Sequence, residues 1–283
     1  MDLSRERADG TGGAADATLE IVVPCRNEAA RLPHGLAVLC ARLRTLPVRS
    51  AILVVDNAST DATARIARSW PGPIPVRVLR CARRGKGAAV RAGLLATSAP
   101  YVGFCDADMA TDVAAVGPAL ALLRAGRPVV IGARRHPGSA AEPYRDPMRR
   151  AGALVFNRLV RDLAGGVADT QCGFKFFDGP LARSVAAELR ITGYVFDAEV
   201  LMRCVRRGAA ITELPVVWRD APGTAFSPAR HAAGCVRDLV RLRLSALRSR
   251  VPASGAGVPS TPPPEAAALP PPALRRDPRY GRA

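Results

Sequence analysis

Two carboxylates separated by one residue, Asp106 and Asp108, follow directly on an apolar run at residues 101–105. That run is too short for a helix, and its aromatic and β-branched content predicts a strand buried on both faces. Carboxylate oxygens are preferred ligands of Mg²⁺ and Mn²⁺, which are commonly held by one or two carboxylates together with substrate phosphates. The pair therefore predicts a site for Mg²⁺ or Mn²⁺ and a diphosphate. The alternative is that Asp106 ends the strand while Asp108 or Asp112 caps the next helix.

Other chemically capable side chains follow the neighbouring predicted strands. Glu28 follows the first strand, and Asp56 and Asp61 follow the second. Because ligands of open α/β sheets bind at the carboxyl ends of strands, we expect these groups along one edge. Asp56 suits the base or ribose of a nucleoside diphosphate, and the metal pair suits its pyrophosphate. Lys86, flanked by two glycines that allow close backbone approach, is placed to add a positive charge on phosphate.

The spacing of apolar residues predicts the elements that must position these groups, namely an α/β domain with a mostly parallel sheet flanked by helices. In the first half, strands are predicted at 19–23, 51–55, 76–80, 101–105 and 129–133, and helices at 31–46, from a Ser59 or Thr60 cap to 70, at 87–97 and at 112–124. In the second half, a polar loop at 134–150 precedes helices at 150–163, 180–189 and 196–207, strands at 172–177 and 211–217, and a basic amphipathic helix at 236–249.

Length and composition set further limits. A chain of 283 residues with 48% hydrophobic content fits one α/β domain with appendages. No apolar run approaches the roughly 20 residues of a membrane span. Residues 1–17 are polar and lack the apolar segment of a signal peptide, which favours a cytoplasmic location. The seven scattered cysteines indicate small buried hydrophobes in a reducing compartment, without a zinc site.

The net charge of +17 calls for an anionic partner: nucleic acid, a membrane surface or a phosphorylated substrate. The chain has no basic stripe interleaved with aromatic residues, which disfavours nucleic acid. The helix at 236–249 could lie on an anionic membrane, or could pack on the domain with a solvated basic face.

This chain uses arginine in place of lysine almost everywhere, so its few lysines indicate positions where arginine cannot make the required contact. Of 41 basic residues only Lys86 and Lys175 are lysine, and Gln171 is the only glutamine. A compact ammonium makes contacts that a planar guanidinium cannot copy. We therefore expect both lysines to have specific partners.

At the level of whole motifs, the loops at 24–28, 55–61, 84–87 and 106–108 resemble those of the family 2 glycosyltransferases of GT-A fold. Five longer motifs are similar to the branch that contains dolichyl-phosphate β-glucosyltransferases and polyprenyl-phosphate sugar synthases: they lie at 85–93, 106–112, 169–175, 196–201 and 216–220. The resemblance runs from about residue 19 to 243.

The resemblance implies an inverting transfer of a sugar, with glucose from UDP-glucose favoured, to the phosphate of a polyprenol, assisted by Mg²⁺ or Mn²⁺. It further implies peripheral contact with an anionic membrane at the inner face of the cell. The expected domain covers 18–250, with a nucleotide-binding half at 18–133 and an acceptor half at 134–250, between disordered ends at 1–17 and 251–283.

The candidate site residues fall into four groups. Those for the nucleotide sugar are Pro24, Arg26, Glu28, Asp56, Asp61, Lys86 and Asp106, and those for the metal are Asp106 and Asp108. Those for the acceptor phosphate are Arg134, Arg149, Arg150 and Lys175. Asp169 and Asp197 are candidates for orienting the sugar or assisting proton removal, although either could be structural, and Lys175 could equally anchor a loop.

The chain departs from the family pattern at two sites. The usual Asp-Asp-Gly-Ser is here Asp56-Asn57-Ala58-Ser59, which bears on base or ribose contacts. Where the branch carries Gly-Ser-Lys, this chain has Gly223-Thr224-Ala225, so a phosphate-contacting lysine is missing. The membrane anchor of eukaryotic relatives is also absent, which makes the helix at 236–249 the expected means of reaching lipid.

Three other functions stay open at this point. One is a family 2 transferase that acts on a soluble acceptor in secondary metabolism. Another is mannosyl transfer from GDP-mannose to polyprenyl phosphate. The third is a non-catalytic protein that binds nucleotide sugars or nucleic acid, whose mark would be tight, salt-dependent polyanion binding without turnover.

Overall fold

The structure is a computed structural model that describes residues 17–142, 144, 146–220 and 228–248. The segments expected to be disordered, 1–17 and 251–283, lie outside the described residues except for Ala17, which is buried. The loop at 223–225 also lies outside them.

A seven-stranded sheet with the order β3-β2-β1-β4-β7-β5-β8 forms the centre of the domain. Its strands are β1 Leu19–Cys25, β2 Ser50–Asp56, β3 Val76–Arg80, β4 Tyr101–Cys105, β5 Val129–Ala133, β7 Phe174–Asp178 and β8 Ile211–Pro215. Two short strands, β6 Ala140–Ala141 and β9 Val217–Trp218, pair with each other in parallel.

Every strand of the large sheet is parallel to its neighbours except β7, which is antiparallel to both β4 and β5. The start of β7 therefore lies beside the end of β4, with Phe174 opposite Cys105. One edge of the sheet thus receives the carboxyl ends of six strands and the segment that leads into β7. This edge is where the topology predicts a ligand site.

Helices cover both faces of the sheet. They are α1 Leu32–Leu43, α2 Thr63–Arg68, α3 Lys86–Ala96, α4 Val116–Arg124, α5 Pro147–Val160, α6 Gly179–Glu188, α7 Phe196–Arg206 and α8 Pro228–Arg248, with a 3₁₀ turn at Val113–Ala115. Leu36 and Leu120 pack into the core on one face. Val90, Leu201 and Leu242 pack into the core on the other. The predicted fold class, a mostly parallel sheet flanked by helices, is confirmed.

The observed bounds of β3, β4 and β5 agree with the strands predicted at 76–80, 101–105 and 129–133. The strand predicted at 211–217 is interrupted at Val216, because its amide donates to Ser139 Oγ (3.1 Å) and its carbonyl accepts from Ala140. Helix α8 starts eight residues before the predicted 236.

The predicted Ser59 or Thr60 cap of the second helix is wrong. Instead, the Asp61 carboxylate accepts from the amide and hydroxyl of Thr63, and α2 is only six residues long. Thr60 is used elsewhere, since its amide donates to Asn27 Oδ1.

Candidate active site

A cleft of about 1140 Å³ opens along the edge where the strands end. Its walls come from the loops after β1, β2, β3, β4 and β5, the segments before β7 and α7, and helices α5 and α8. Three non-glycine residues with left-handed backbone, Asn27 (φ 54°), Ala58 (φ 55°) and Met109 (φ 47°), lie in the loops after β1, β2 and β4. Strained backbone of this kind costs free energy and clusters at functional sites.

Asp106 and Asp108 both line this cleft, as predicted. The Asp108 carboxylate accepts from the Ala110 amide (3.1 Å), which forms a local turn and does not cap a helix. Asp112 does act as a cap, since it accepts from the Ala114 amide at the start of the 3₁₀ turn. The capping alternative therefore holds for Asp112 alone.

Gly173 is required behind the first carboxylate. A Cβ at this position would lie 2.1 Å from Asp106 Oδ2, so only a residue without a side chain lets Asp106 pack against the segment before β7.

Lys86 supplies the positive charge nearest to this pair. Its Nζ lies 2.5 Å from Asp106 Oδ1. Burial would lower the pKa of the Lys86 ammonium, but the Asp106 and Asp197 carboxylates outweigh it and raise the pKa above its usual value. Burial and, second to it, the nearby Asp106 carboxylate raise the pKa of Asp108.

The donor set fits Mg²⁺ or Mn²⁺. Two carboxylates one residue apart face the cleft, and the Asp106 side chain is 36% exposed. Among the described residues, no group of three or more His, Cys, Asp or Glu side chains could enclose a metal. Such a pair matches ions that keep water and phosphate as their remaining ligands.

The nucleotide-side candidates separate into two sets. Pro24, Arg26 and Glu28 line the cleft, and Glu28 holds Arg31 through two hydrogen bonds of 2.7 and 2.8 Å. Burial raises the pKa of Glu28 although Arg31 opposes it.

Asp56 and Asp61 shape the loops of this wall. Asp56 is buried and accepts from the Ser59 amide (3.2 Å). Asp61 accepts from the Ala29 amide (3.1 Å) as well as from Thr63. Through these bonds Asp61 fixes the loop after β1, and its carboxylate is engaged within the protein.

The Asp169 carboxylate is bound to Arg134. The buried carboxylate receives two hydrogen bonds from the Arg134 guanidinium (2.6 and 2.8 Å) and one from its amide (3.0 Å). Burial would raise the pKa of Asp169, but Arg134 lowers it to about 2. This geometry favours the structural alternative for Asp169, because its oxygens hold Arg134. The Arg134 guanidinium faces the cleft over the Trp218 ring, at 5.3 Å from the ring centroid.

Lys175 lies in the position of an anchor, which is one of the two roles that the sequence allowed for it. It is completely buried, and its ammonium lies 2.5 Å from both Asp197 Oδ1 and the Cys172 carbonyl oxygen. Asp197 itself lines the cleft. Lys175 therefore anchors Asp197 from behind, and both lysines have specific partners, as the composition predicted.

Of the remaining basic candidates, Arg150 lies beside Arg134. Arg150 is exposed and borders a smaller recess of about 260 Å³ together with Arg134 and Arg135. The Arg149 side chain lies outside the described residues.

The sequence did not reveal the part played by α5. Helices α5 and α8 together expose eight large apolar side chains, each between 43% and 71% exposed: Met148, Leu154, Val155, Leu159, Val236, Val240, Leu244 and Leu247. We call this surface the α5–α8 apolar patch. Met148, Val155, Leu159 and Val236 also line the cleft, so these members of the patch adjoin the site. Leu154-Val155 and Leu159, at helical spacing, were the available signal.

The α8 helix packs on the domain, which is one of the two alternatives predicted for it. One face packs on the domain through buried Leu242, and Arg243 pairs with Asp162 (2.7 Å). The opposite face belongs to the apolar patch. Among the described residues, no helix is long and apolar enough to cross a bilayer.

Comparison with known proteins gives matches in both sequence and structure. The family model "Glycosyl transferase family 2" matches residues 20–180. The dolichyl-phosphate β-glucosyltransferase of Dictyostelium discoideum is 30% identical over 240 residues, which cover 80% of this chain and 73% of that protein. The protein of the same name from Homo sapiens is 30% identical over 242 residues, with 80% and 75% covered.

Two solved structures share the fold. Glucosyl-3-phosphoglycerate synthase from Mycobacterium tuberculosis, in complex with Mn²⁺, UDP and glucosyl-3-phosphoglycerate, has a TM-score of 0.61 and 21% identity, with 86% of this chain and 84% of that chain covered. Mannosyl-3-phosphoglycerate synthase from Rubrobacter xylanophilus has a TM-score of 0.64 and 20% identity, with 86% and 79% covered.

Proposed function

This chain belongs to glycosyl transferase family 2, and from that premise we propose that it transfers glucose from UDP-glucose to the phosphate of a polyprenol with inversion. The observation that carries the proposal is the arrangement of the cleft. One wall holds carboxylates suited to a metal–diphosphate complex, and the other wall holds arginines beside an exposed apolar patch. Relatives that are about 30% identical are named for glucose transfer to dolichyl phosphate, and they support this choice of sugar and acceptor.

On the donor side, Pro24, Arg26 and Glu28 line the pocket for the nucleotide, and Asp106 and Asp108 hold Mg²⁺ or Mn²⁺. The bound ion supplies Lewis-acid stabilisation of the departing diphosphate. Lys86 lies beside Asp106 and contributes a second positive charge toward the diphosphate. The Mn²⁺ and UDP in the Mycobacterium tuberculosis synthase support the choice of ion and nucleotide.

On the acceptor side, Arg134 and Arg150 bind the incoming phosphate. This phosphate is already an anion, so the main obstacle is repulsion between two phosphates and not removal of a proton. Arg134 is pre-oriented by Asp169, which reduces the reorganisation needed when the acceptor binds. Attack on the face opposite the diphosphate converts an α-linked donor into a β-linked product.

Asp197 is the remaining acidic group in the cleft that lies near both lysines. Lys175 fixes its carboxylate from behind, at 2.5 Å. Because the acceptor needs no strong base, we assign Asp197 to orienting the sugar hydroxyls.

The acceptor reaches this cleft from a membrane surface. The α5–α8 apolar patch adjoins the cleft, so a polyprenyl chain can remain in the bilayer while its phosphate enters. Arg237 and Arg241 on α8 have side chains 64% and 66% exposed, and they are suited to anionic head groups. We place the protein peripherally at the inner face of the cell membrane.

A donor panel tests this function. UDP-glucose, UDP-GlcNAc, UDP-galactose and GDP-mannose are each incubated with a short polyprenyl phosphate and Mg²⁺ or Mn²⁺, and the mass of the lipid product is read. The proposal predicts a hexosyl phosphate lipid with UDP-glucose as the best donor. A best rate with GDP-mannose would replace the sugar assignment. Transfer to 3-phosphoglycerate and not to lipid would replace the acceptor assignment.

A further inference from the structure

The departure at Asn57 has a structural explanation. Asn57 follows β2 at the wall of the cleft and is only 3% exposed. Its Nδ2 donates to the carbonyl oxygens of Cys81 (3.2 Å) and Arg83 (2.7 Å), and its Oδ1 accepts from the Gly85 amide (2.7 Å). One side chain thus binds the backbone of three alternate residues in the loop that connects β3 to α3.

These partners determine that the residue must be an amide. Two of them are carbonyl oxygens, which require a donor, and one is an N–H, which requires an acceptor. A carboxylate would keep only the bond to Gly85 and would place negative charge against two carbonyl oxygens. The Asp that the family usually carries here is therefore incompatible with this loop conformation.

The loop that Asn57 holds ends at Lys86. Gly85 has φ 126°, a conformation that favours glycine, and a Cβ there would lie 2.2 Å from the Thr192 carbonyl oxygen. The Gly87 amide donates to the same oxygen (2.8 Å). The loop is therefore clamped between Asn57 on one side and Thr192 on the other, and Lys86 at the start of α3 reaches Asp106.

We infer that Asn57 is a positioning residue that acts through the loop at 81–85 to hold Lys86 against Asp106 and the donor diphosphate. The effect on donor binding rests on the proposed function, whereas the effect on the loop does not. In this chain the asparagine at position 57, where the family usually carries Asp, thus acts on the diphosphate end of the donor and not on the base or ribose.

Hydrogen–deuterium exchange of the ligand-free protein tests the positioning step. Asn57→Asp and Asn57→Ala should each speed exchange at 81–87 on the order of tenfold, because each loses at least two hydrogen bonds of ordinary strength. Asn157→Asp is the matched control. Asn157 is also buried and donates to a backbone carbonyl, that of Ala168 (2.6 Å), but it lies away from this loop. It should leave exchange at 81–87 slow, and unchanged exchange in both Asn57 variants would overturn the inference.

A double-mutant cycle with UDP and Mn²⁺, read by calorimetry, tests the link to Lys86. Asn57→Asp should weaken UDP binding on the order of fivefold to tenfold in the wild-type background and much less in the Lys86→Met background. Equal weakening in both backgrounds would show that Asn57 touches the nucleotide directly and would refute the inference. If the wild-type protein did not bind UDP, the proposed function would fail, while the exchange measurement would still decide the positioning step.

Discussion

Replacing Lys175 by methionine should destabilise the domain more than an ordinary core substitution. Methionine preserves most of the side-chain volume but removes the ammonium. The side chain is completely buried, and its charge lies 2.5 Å from the Asp197 carboxylate. The change therefore leaves a buried anion and the Cys172 carbonyl oxygen without their donor.

The expected magnitude follows from this geometry. Removing one partner of a buried ion pair typically costs about 3–5 kcal/mol, because the remaining charge stays desolvated. The Lys175→Met/Asp197→Asn double variant replaces the pair with neutral groups and should recover most of that loss. Lys175→Arg should also destabilise the protein, since the larger planar guanidinium does not fit a compact buried site.

Urea unfolding followed by circular dichroism measures these differences at constant m-value. A loss below about 1 kcal/mol for Lys175→Met would refute the account, as would a double variant no more stable than the single one. In the recovered double variant, transferase activity should stay low, because the cleft then lacks the Asp197 carboxylate.

Three further outcomes are expected. Arg134 lowers the pKa of Asp169 to about 2. The stability that this ion pair gives to the fold is therefore present above about pH 4 and is lost as the pH falls toward 2. The advantage of wild type over Asp169→Asn in urea unfolding, about 2 kcal/mol near neutral pH, should therefore shrink over that range, and a constant difference would contradict the ion pair. Gly173→Ala should weaken Mn²⁺ binding by displacing Asp106, as calorimetry can show, with unaltered affinity counting against the close packing. The Leu244→Ser/Leu247→Ser variant should bind anionic vesicles at least about tenfold more weakly in flotation, because each leucine gives up burial worth roughly 1.5 kcal/mol or more. Its turnover of a water-soluble short-chain acceptor should be unchanged. Undiminished flotation would exclude the patch as the membrane-binding surface.

Periodicity was sufficient to predict the mostly parallel sheet, and the strand-end position of Asp106 and Asp108 was sufficient to predict that they lie at its carboxyl edge. The run before Asp106 has the β content of a buried strand, and parallel strands bring their carboxyl ends to one edge regardless of loop detail. The scarcity of lysine predicted two specific contacts, because a site that fits a compact ammonium does not accept arginine.

The roles of individual acidic groups could not be predicted in this way. Whether Asp169 faces a substrate or an arginine depends on where β7 inserts, and that antiparallel insertion between β4 and β5 brings together residues distant in sequence. The same applies to Asn57, whose partners lie 24 to 28 residues away. The exposure of α5 depends on which face its neighbours leave uncovered.

The most direct test of the central claim measures the formation of glucosyl phosphate lipid from UDP-glucose and a short polyprenyl phosphate. It compares wild type with Asp108→Asn, after both proteins are shown to be folded. The account predicts a metal-dependent product in wild type, abolished by chelation, and a rate at least about 100-fold lower in the variant, the usual cost of removing a transition-state electrostatic group. An equal rate in the two proteins would contradict the assignment of this sheet edge as the metal–diphosphate site.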